Sequence, residues 1–357
     1  MKKNILHNKP SIGSEEAVAI KRVIKSGWVA EGEQVKKFED EFSDFLFDKT
    51  SHAVAVSNGT SALFLALISL DVKPGDEIIL PTYACTAVLN AVFMAGVLPV
   101  LVDIDEKSLN ISFSGTVKKL NKKTKAIIIT HTFGCPADLD EFLKLRVPII
   151  EDCAQALGSK FNGKYLGTFG AISTFSFYAS KVITTGNGGM VFSKNKKLLN
   201  IIRDYREFDC RKEYRPRFNI QMSDIQAAMG RVQLKKLPLF LKRRKAIAEE
   251  YKKIIPQSCL WPVDSKDKKN NFFRFLLRSD KILKVKQYFE TKGIKTIIPI
   301  ETRELLHRYL KIDKKGFPVS ERISKTTLSL PIFPSLEISE ISRIKSVLEL
   351  FIICHKL

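Results

Sequence analysis

Between Val54 and Ile150 the chain alternates short apolar runs with longer stretches of helical periodicity, and that alternation limits the fold more than any other feature. The runs are Val54–Val56, Glu77–Leu80, Pro99–Val102, Ala126–Thr130 and Val147–Ile150. They are too short for helices and too continuously apolar for strands with one wet face, so they read as strands covered on both sides. Helix-length segments between them are the crossovers that parallel pairing requires. The expected class is α/β: a mixed, mostly parallel sheet flanked by helices. Ser14–Lys25, Val35–Leu46 and Ser61–Leu70 read as helices, the first two separated by a break at Gly27. After about Ser223 the pattern changes. Ile225–Leu234 and Pro238–Tyr251 read as two long helices, Phe272–Leu276 as a strand, and Leu283–Lys292 and Ile338–Leu350 as further helices. This predicts a smaller α+β domain over 238–357 behind a large domain over 1–237. The N-terminal segment is placed against either one.

Length and composition exclude several classes. A chain of 357 residues, 45% hydrophobic, can bury a large core. It has no apolar run long enough to span a bilayer, so stable membrane insertion is not expected. The opening MKKNILHNKPSIG starts like a leader, but its apolar run is two residues, so a cytoplasmic protein is expected. Cysteines at 85, 135, 153, 210, 259 and 354 form no CxxC pair and no His/Cys cluster with ligand spacing, which predicts reduced thiols and no metal site. The net charge of +21 invites a nucleic-acid reading. The lysines and arginines are scattered, however, and no aromatic–basic RNA motif accompanies them. A solvated surface, with some steering of an anionic substrate, is the expectation.

The chemistry concentrates in Glu151–Met190, EDCAQALGSKFNGKYLGTFGAISTFSFYASKVITTGNGGM. Asp152 closes an apolar strand, and open α/β sheets bind ligands at such ends. A carboxylate there can hold a pyridine nitrogen in its protonated form. Lys181 is the only charged residue between Thr168 and Met190. A lysine pinned in a closed pocket loses proton affinity and can bond a carbonyl carbon. Asn58-Gly59-Thr60-Ser61 stands between a strand and a helix and offers N–H groups and hydroxyls to a phosphate, to which Ser176 adds another hydroxyl. Singly, each has a structural reading: Asp152 as the N-cap of a helix over Ala154–Leu157, Lys181 as a surface lysine, and the SNGTS run as an ordinary cap turn. Together they make the set that pyridoxal 5'-phosphate (PLP) requires.

The chain resembles the DegT/DnrJ/EryC1/StrS family of PLP-dependent sugar aminotransferases, a branch of the fold-type I enzymes. Seven segments carry the likeness in order: SGWVAEGEQVKKFE from Ser26, SNGTSALFLAL from Ser57, KPGDEIILPTYACTAVLNAV from Lys73, HTFGCPADLD from His131, the Glu151–Met190 run, NIQMSDIQAAMGRVQLKKL from Asn219 and LSLPIFPSL from Leu328. The resemblance implies that Lys181 bonds the cofactor aldehyde and moves the proton, that Asp152 binds the ring nitrogen and Gln155 the ring hydroxyl oxygen. It gives Gly59, Thr60, Ser61 and Ser176 to the phosphate, and it has Asn219 reach the phosphate of a neighbouring subunit. A homodimer with shared sites, a nucleotide-linked keto sugar as substrate and L-glutamate as amino donor follow from the same likeness.

Four positions depart from the family's pattern. Cys85 stands where many members stack an aromatic ring on the cofactor, with Tyr83 a candidate replacement. Asn187 replaces a Glu, Gln221 an Arg and Phe333 a His. His131 reads either as a pocket-lining residue or as a backbone cap, and Trp28 either as a cover for the site or as an anchor for the N-terminal segment. Two rival functions are weighed. Related sugar dehydratases carry His in place of the lysine, which Lys181 opposes. A non-catalytic sensor of PLP or sugar nucleotide would need no proton-carrying lysine.

Overall fold

The computed structural model describes residues 4–47, 51–209, 211–261 and 265–355, so Cys210 lies outside the described residues. Its centre is a seven-stranded sheet. β1 (Ala53–Val56), β2 (Glu77–Pro81), β3 (Leu98–Val102), β4 (Thr124–Thr130) and β5 (Ile149–Asp152) come from the apolar runs read in the sequence. β6 (Lys160–Phe161) and β7 (Lys164–Tyr165) form a small hairpin apart from it, and β8 (Ile172–Ser176) and β9 (Gly189–Phe192) complete it. The strand order is β1-β9-β8-β5-β4-β2-β3. Neighbours from β3 through β8 pair in parallel, whereas β9 runs antiparallel to both β8 and β1. The sheet is therefore mixed and mostly parallel, as the alternation of runs and helices predicts.

Strand side chains alternate between faces, and both faces are dry. On one, Ala53, Ala55, Ile127 and Ile129 pack against α2 (Glu33–Phe47) and α8 (Asp224–Lys252) through Phe38, Phe42 and Leu237. On the other, Val54, Val56, Ala126 and Ile128 pack against α3 (Gly59–Ser69), α4 (Thr86–Met94) and α7 (Lys196–Tyr205). α1 (Ser14–Ser26) lies on α8, and α5 (Phe113–Lys119) and α6 (Leu139–Phe142) are short crossovers.

A second sheet holds β10 (Leu260–Trp261), β12 (Phe275–Arg278) and β13 (Thr327–Leu330), while β11 (Lys268–Lys269) pairs with the β6–β7 hairpin. α9 (Ile282–Thr291) and α12 (Ile338–His355) share a core with this sheet and with Ile247 and Tyr251 of α8. α10 (Leu306–Tyr309) and α11 (Pro318–Thr326) lie between β12 and β13 in the chain, and the Leu306 N–H reaches the Thr82 carbonyl just past β2. The N-terminal segment joins the second sheet's side, where Ile5 bridges Ile294.

The sequence predicts two helices on either side of Pro238, and the structure corrects this to one, α8. A proline inside a helix costs about 3 kcal/mol because it removes an N–H and crowds the preceding turn. Pro238 faces solvent, where the freed carbonyl can meet water. Phe38 and Tyr251 meanwhile pin the helix to two cores. Ser223 caps its start by a reciprocal pair with Gln226. A second correction concerns Ala154–Leu157, which forms turns rather than a helix.

Candidate active site

Every parallel strand of the large sheet ends at the same edge, and β9 begins there. Asp152 ends β5, Ser176 ends β8, Ser57–Thr60 follow β1, Tyr83–Cys85 follow β2, and His131–Phe133 follow β4. Because β9 is antiparallel, Asn187 and Gly188 enter at that edge too. The residues enclose a cavity of about 670 Å³. This is the position that open α/β sheets give to ligands.

Asp152 and Lys181 both line the cavity. Asp152 Oδ1 accepts the Ala154 N–H at 2.9 Å. Burial raises the pKa of its carboxyl, and the Ala154 N–H, Lys181 and His131 offset that only in part. Lys181 is shifted the other way: burial, with the nearby charge of Arg274, lowers its pKa against the opposing charge of Asp152. Its ammonium sits 5.3 Å from the centre of the Phe273 ring. The wall thus carries a carboxyl with one oxygen held by backbone and an amine that gives up its proton more readily than an ordinary lysine, both facing the same cavity.

Across the cavity, the chain turns from β1 into α3. Asn58 caps the helix by accepting the Ser61 N–H at 2.9 Å. The first N–H groups of a helix have no acceptor within it, so those of Gly59 and Thr60 are free to meet an anion. A Cβ at Gly59 would stand 2.8 Å from Ser176 Cβ, so the turn and the end of β8 fit only with glycine there. Gly59, Thr60 and Ser176 all line the cavity. Ser61 does not: it is buried behind the turn, with its hydroxyl 3.3 Å from Ser57 Oγ.

Gln155 Oε1 accepts the Phe133 N–H at 2.9 Å, which fixes its amide and leaves the NH₂ as its donor on the cavity wall. Phe133 adopts φ 56°, a conformation uncommon for a side-chain-bearing residue, inside the short turn Thr132–Gly134. His131 combines both readings made from sequence. It lines the cavity, and its Nδ1 accepts the Ala137 N–H at 3.2 Å. That places the ring proton on Nε2, 3.1 Å from Glu151 Oε2. Glu151 also accepts N–H groups from Gly167, Phe169 and Gly170. Burial pushes this carboxyl upward, but the His131 bond and the backbone donors outweigh burial and hold it below the usual carboxylate range. His131, Glu151 and Cys153 crowd together, yet the Glu151 oxygens and both His131 nitrogens are already engaged.

Other sequence candidates fall in different places. Cys85 is the N-cap of α4 and opens its thiol to the cavity, so no ring comes from that position. Tyr83 lines the cavity from a fully buried position, edge-on to Phe133. Trp28 lies outside this cavity, its indole N–H donating to the Glu31 carbonyl beside a second groove between α1, α2 and α8. Asn219 is exposed and does not line the cavity of its own chain. Phe333 is core. The sequence reading missed Thr130, Tyr178, Gln226 and Ile300 on the lining, and missed Asn271 behind Gln155. Thr130 ends a strand next to the one bearing Asp152, a signal available in the sequence. Tyr178 and Gln226 fall inside runs singled out in the sequence, three residues before Lys181 and seven after Asn219, whereas Ile300 and Asn271 come from distant segments with no local mark.

The family profile for "DegT/DnrJ/EryC1/StrS aminotransferase family" matches residues 10–349. The chain belongs to the DegT/DnrJ/EryC1/StrS aminotransferase family. Among its relatives, GDP-perosamine synthase of Escherichia coli O157:H7 is 34% identical over 92% of this chain and 93% of the relative. The dTDP-4-dehydro-2,3,6-trideoxy-D-glucose 4-aminotransferase of Saccharopolyspora spinosa is 32% identical over 94% and 93%. Among solved structures, Spr1654 of Streptococcus pneumoniae in its PMP form superposes with a TM-score of 0.89 at 25% identity, covering 99% of this chain and 100% of that one, and a PLP form is also solved. This member of the family is a PLP-dependent sugar aminotransferase of fold-type I. The residues present fit the cofactor: a cradle only glycine can fill, a carboxyl on the wall with one oxygen held by backbone, and a half-buried lysine facing the same cavity.

Proposed function

We propose that the enzyme transfers an amino group from L-glutamate to a nucleotide-linked keto sugar, making an amino sugar for a polysaccharide, glycan or secondary metabolite. The observation that carries this reading is the meeting of Asp152 and Lys181 in one cavity with opposite pKa shifts. The nucleotide-sugar part is supported by the names of the relatives, one a GDP-sugar enzyme and one a dTDP-sugar enzyme.

In this reading residues 1–237 bind the cofactor, 238–357 form the smaller domain, and the protein works in the cytoplasm. Bound PLP supplies an electron sink for the pair left when a proton leaves the donor carbon. Asp152 would keep the ring nitrogen protonated, and the Gln155 NH₂ would be the donor for the ring hydroxyl oxygen. The Gly59 and Thr60 N–H groups, with the Ser176 hydroxyl, hold the phosphate end. Lys181 would hold the cofactor aldehyde at rest, and its amine, when free, would be the base that takes the proton from the donor α-carbon. The same amine would return a proton when the sugar is the acceptor. Asn219, exposed on its own chain, is assigned to the cavity of a second copy, which makes the working unit a homodimer with shared sites.

The test is the visible spectrum of the PLP-loaded protein before and after L-glutamate, followed by GDP- and dTDP-linked 4-keto sugars. The expected result is loss of the lysine-bound band with glutamate and its return with one of the sugars. A band that no amino acid shifts would overturn the transaminase reading.

A further inference from the structure

Residues 5–11 precede the first helix, yet they bond to both halves of the molecule. At one end Ile5 runs beside Ile294: its N–H donates to the Gly293 carbonyl and its carbonyl accepts the Lys295 N–H, each at 2.9 Å. His7 Nε2 lies 2.9 Å from Ser329 Oγ on β13. Burial and the charges of Arg274, Lys295 and Arg244 hold this imidazole neutral, with a pKa of about 3, so Nε2 accepts from the Ser329 hydroxyl. Asn8, the next residue, reaches the large-sheet side instead, where its Nδ2 donates to the Ser180 carbonyl at 3.0 Å. Pro10 fixes its own φ and keeps Lys9 extended, which stiffens the chain between Asn8 and Ser11.

Ser180 stands immediately before Lys181, in the turn that joins β8 to β9. That turn closes on itself: the Lys181 N–H donates to the Tyr178 carbonyl at 2.8 Å, and the Thr185 N–H and Thr184 hydroxyl both reach the Phe177 carbonyl. Val182 and Ile183 seat its middle in the core. Among the described residues, two hydrogen bonds tie residues 178–184 to other parts of the chain. One is the Asn8 bond to Ser180. The other runs from the Thr184 N–H to Gln233 Oε1 on α8, at 3.2 Å, and the same Gln233 amide donates to the Ser11 carbonyl at 2.9 Å and to Glu16 at 2.7 Å. Both tethers therefore lead to the N-terminal segment. The first is the more direct, because the Ser180 carbonyl and the Lys181 N–H belong to one rigid peptide plane. Tyr178 holds one edge of that plane and Asn8 the other.

We propose that Asn8 is a positioning residue for Lys181, and that residues 5–11 couple the second sheet to the turn that carries this lysine. This rests on the assignment of Lys181 to the cofactor. Without the Asn8 donor, the peptide plane entering Lys181 is free to rotate about its remaining bond, and the Lys181 side chain moves with it. Proton movement is sensitive to such a shift, since a misplacement of about 1 Å can cost about 100-fold in rate. Cofactor binding is less exposed to it. The phosphate cradle at Gly59, Thr60 and Ser176 and the carboxyl of Asp152 stand on elements that Asn8 does not touch. The coupling makes the geometry of the lysine answer to the seating of the N-terminal segment on β13 and on Ile294.

The test compares Asn8→Ala and Asn8→Asp with the wild type; the second keeps the size of the side chain and turns its donor into an acceptor facing a carbonyl. In cofactor-free protein, deuterium exchange over residues 178–185 should quicken by about 3- to 10-fold in both, as loss of one net hydrogen bond predicts, while Ala53–Val56 keeps its wild-type rate. In PLP-loaded protein, loss of the lysine-bound band with saturating L-glutamate should slow by about 10-fold, with KM and PLP affinity within about twofold. Ser329→Ala frees the other end of the segment and should also quicken exchange over 178–185, by a smaller factor, although Ser329 lies on β13. Unchanged exchange and rate in both Asn8 variants overturn the proposal. So does a fall in PLP affinity that matches the fall in rate, which would make Asn8 a general support of the cavity. Unchanged exchange in Ser329→Ala overturns the coupling. Failure of the Lys181 assignment looks different: Lys181→Arg would keep the lysine-bound band, while exchange over 178–185 would still depend on Asn8.

Discussion

Glu151 and Asp152 are neighbours at the end of one strand, both carboxylates out of bulk water, and they are treated in opposite ways. Successive residues of β5 point to opposite faces. Glu151 turns toward a closed nest of four donors, from His131, Gly167, Phe169 and Gly170, and ionises more readily than an ordinary carboxyl. Asp152 turns toward the cavity, receives one backbone N–H, and ionises less readily. The difference separates a carboxylate satisfied within the protein from one left largely unsatisfied on a cavity wall. A buried acid is informative about function when its surroundings leave it unsatisfied.

Substitutions can break or sharpen this contrast. The largest effect is expected from Asp152→Asn in the loaded enzyme: a fall in kcat of about 10²- to 10⁴-fold, equivalent to losing a buried ion pair worth about 3–5 kcal/mol. Stopped-flow with L-glutamate would measure it, and near-normal rates would remove Asp152 from the mechanism. Glu151→Gln should instead cost about 3 kcal/mol of folding stability by urea titration, because the new NH₂ faces groups that are themselves donors. Retention of wild-type stability would undo the distinction between the two acids.

The pH dependence has a definite sign. The folded pKa of Glu151 is depressed, so its contribution is full above the ordinary glutamate pKa and is lost as pH falls through the depressed value. Denaturation curves of Glu151→Gln should therefore be flatter than wild type on the acid side. Gly59→Ala should weaken cofactor binding by about 10-fold, since the new methyl meets Ser176. A fluorescence titration with PLP checks this, and unaltered affinity would move the phosphate elsewhere. The smallest effect reverses the sign of the second. The raised pKa of Asp152 makes it a net burden on the cofactor-free fold as pH rises above the ordinary aspartate value. Asp152→Asn should raise the Tm of cofactor-free protein at pH 7 by about 1–3 °C.

Much of this was legible in the sequence because strands buried on both faces announce themselves as unbroken apolar runs. Asp152, Lys181 and Gly59 could be found from their place beside such runs. β9 was not, because Gly189 opens it and the glycines before it read as loop. The continuity of α8 was not, because Pro238 stops a helix by local rules and only packing at both ends overrides them. Asn271 left no trace at all. Its place behind the cavity wall comes from contacts with Gln155 and Leu157, more than a hundred residues earlier, and no periodicity encodes such a meeting.

The antiparallel strand β9 also sets an order of events during synthesis. β1 is an edge strand whose one neighbour is β9, and Gly189 packs on the Asn58 carbonyl at the head of α3. A nascent chain therefore carries β1 and the turn after it unpaired until Phe192 has left the ribosome, and chains stalled before that point expose an apolar edge, Ala53–Val56, to any strand nearby.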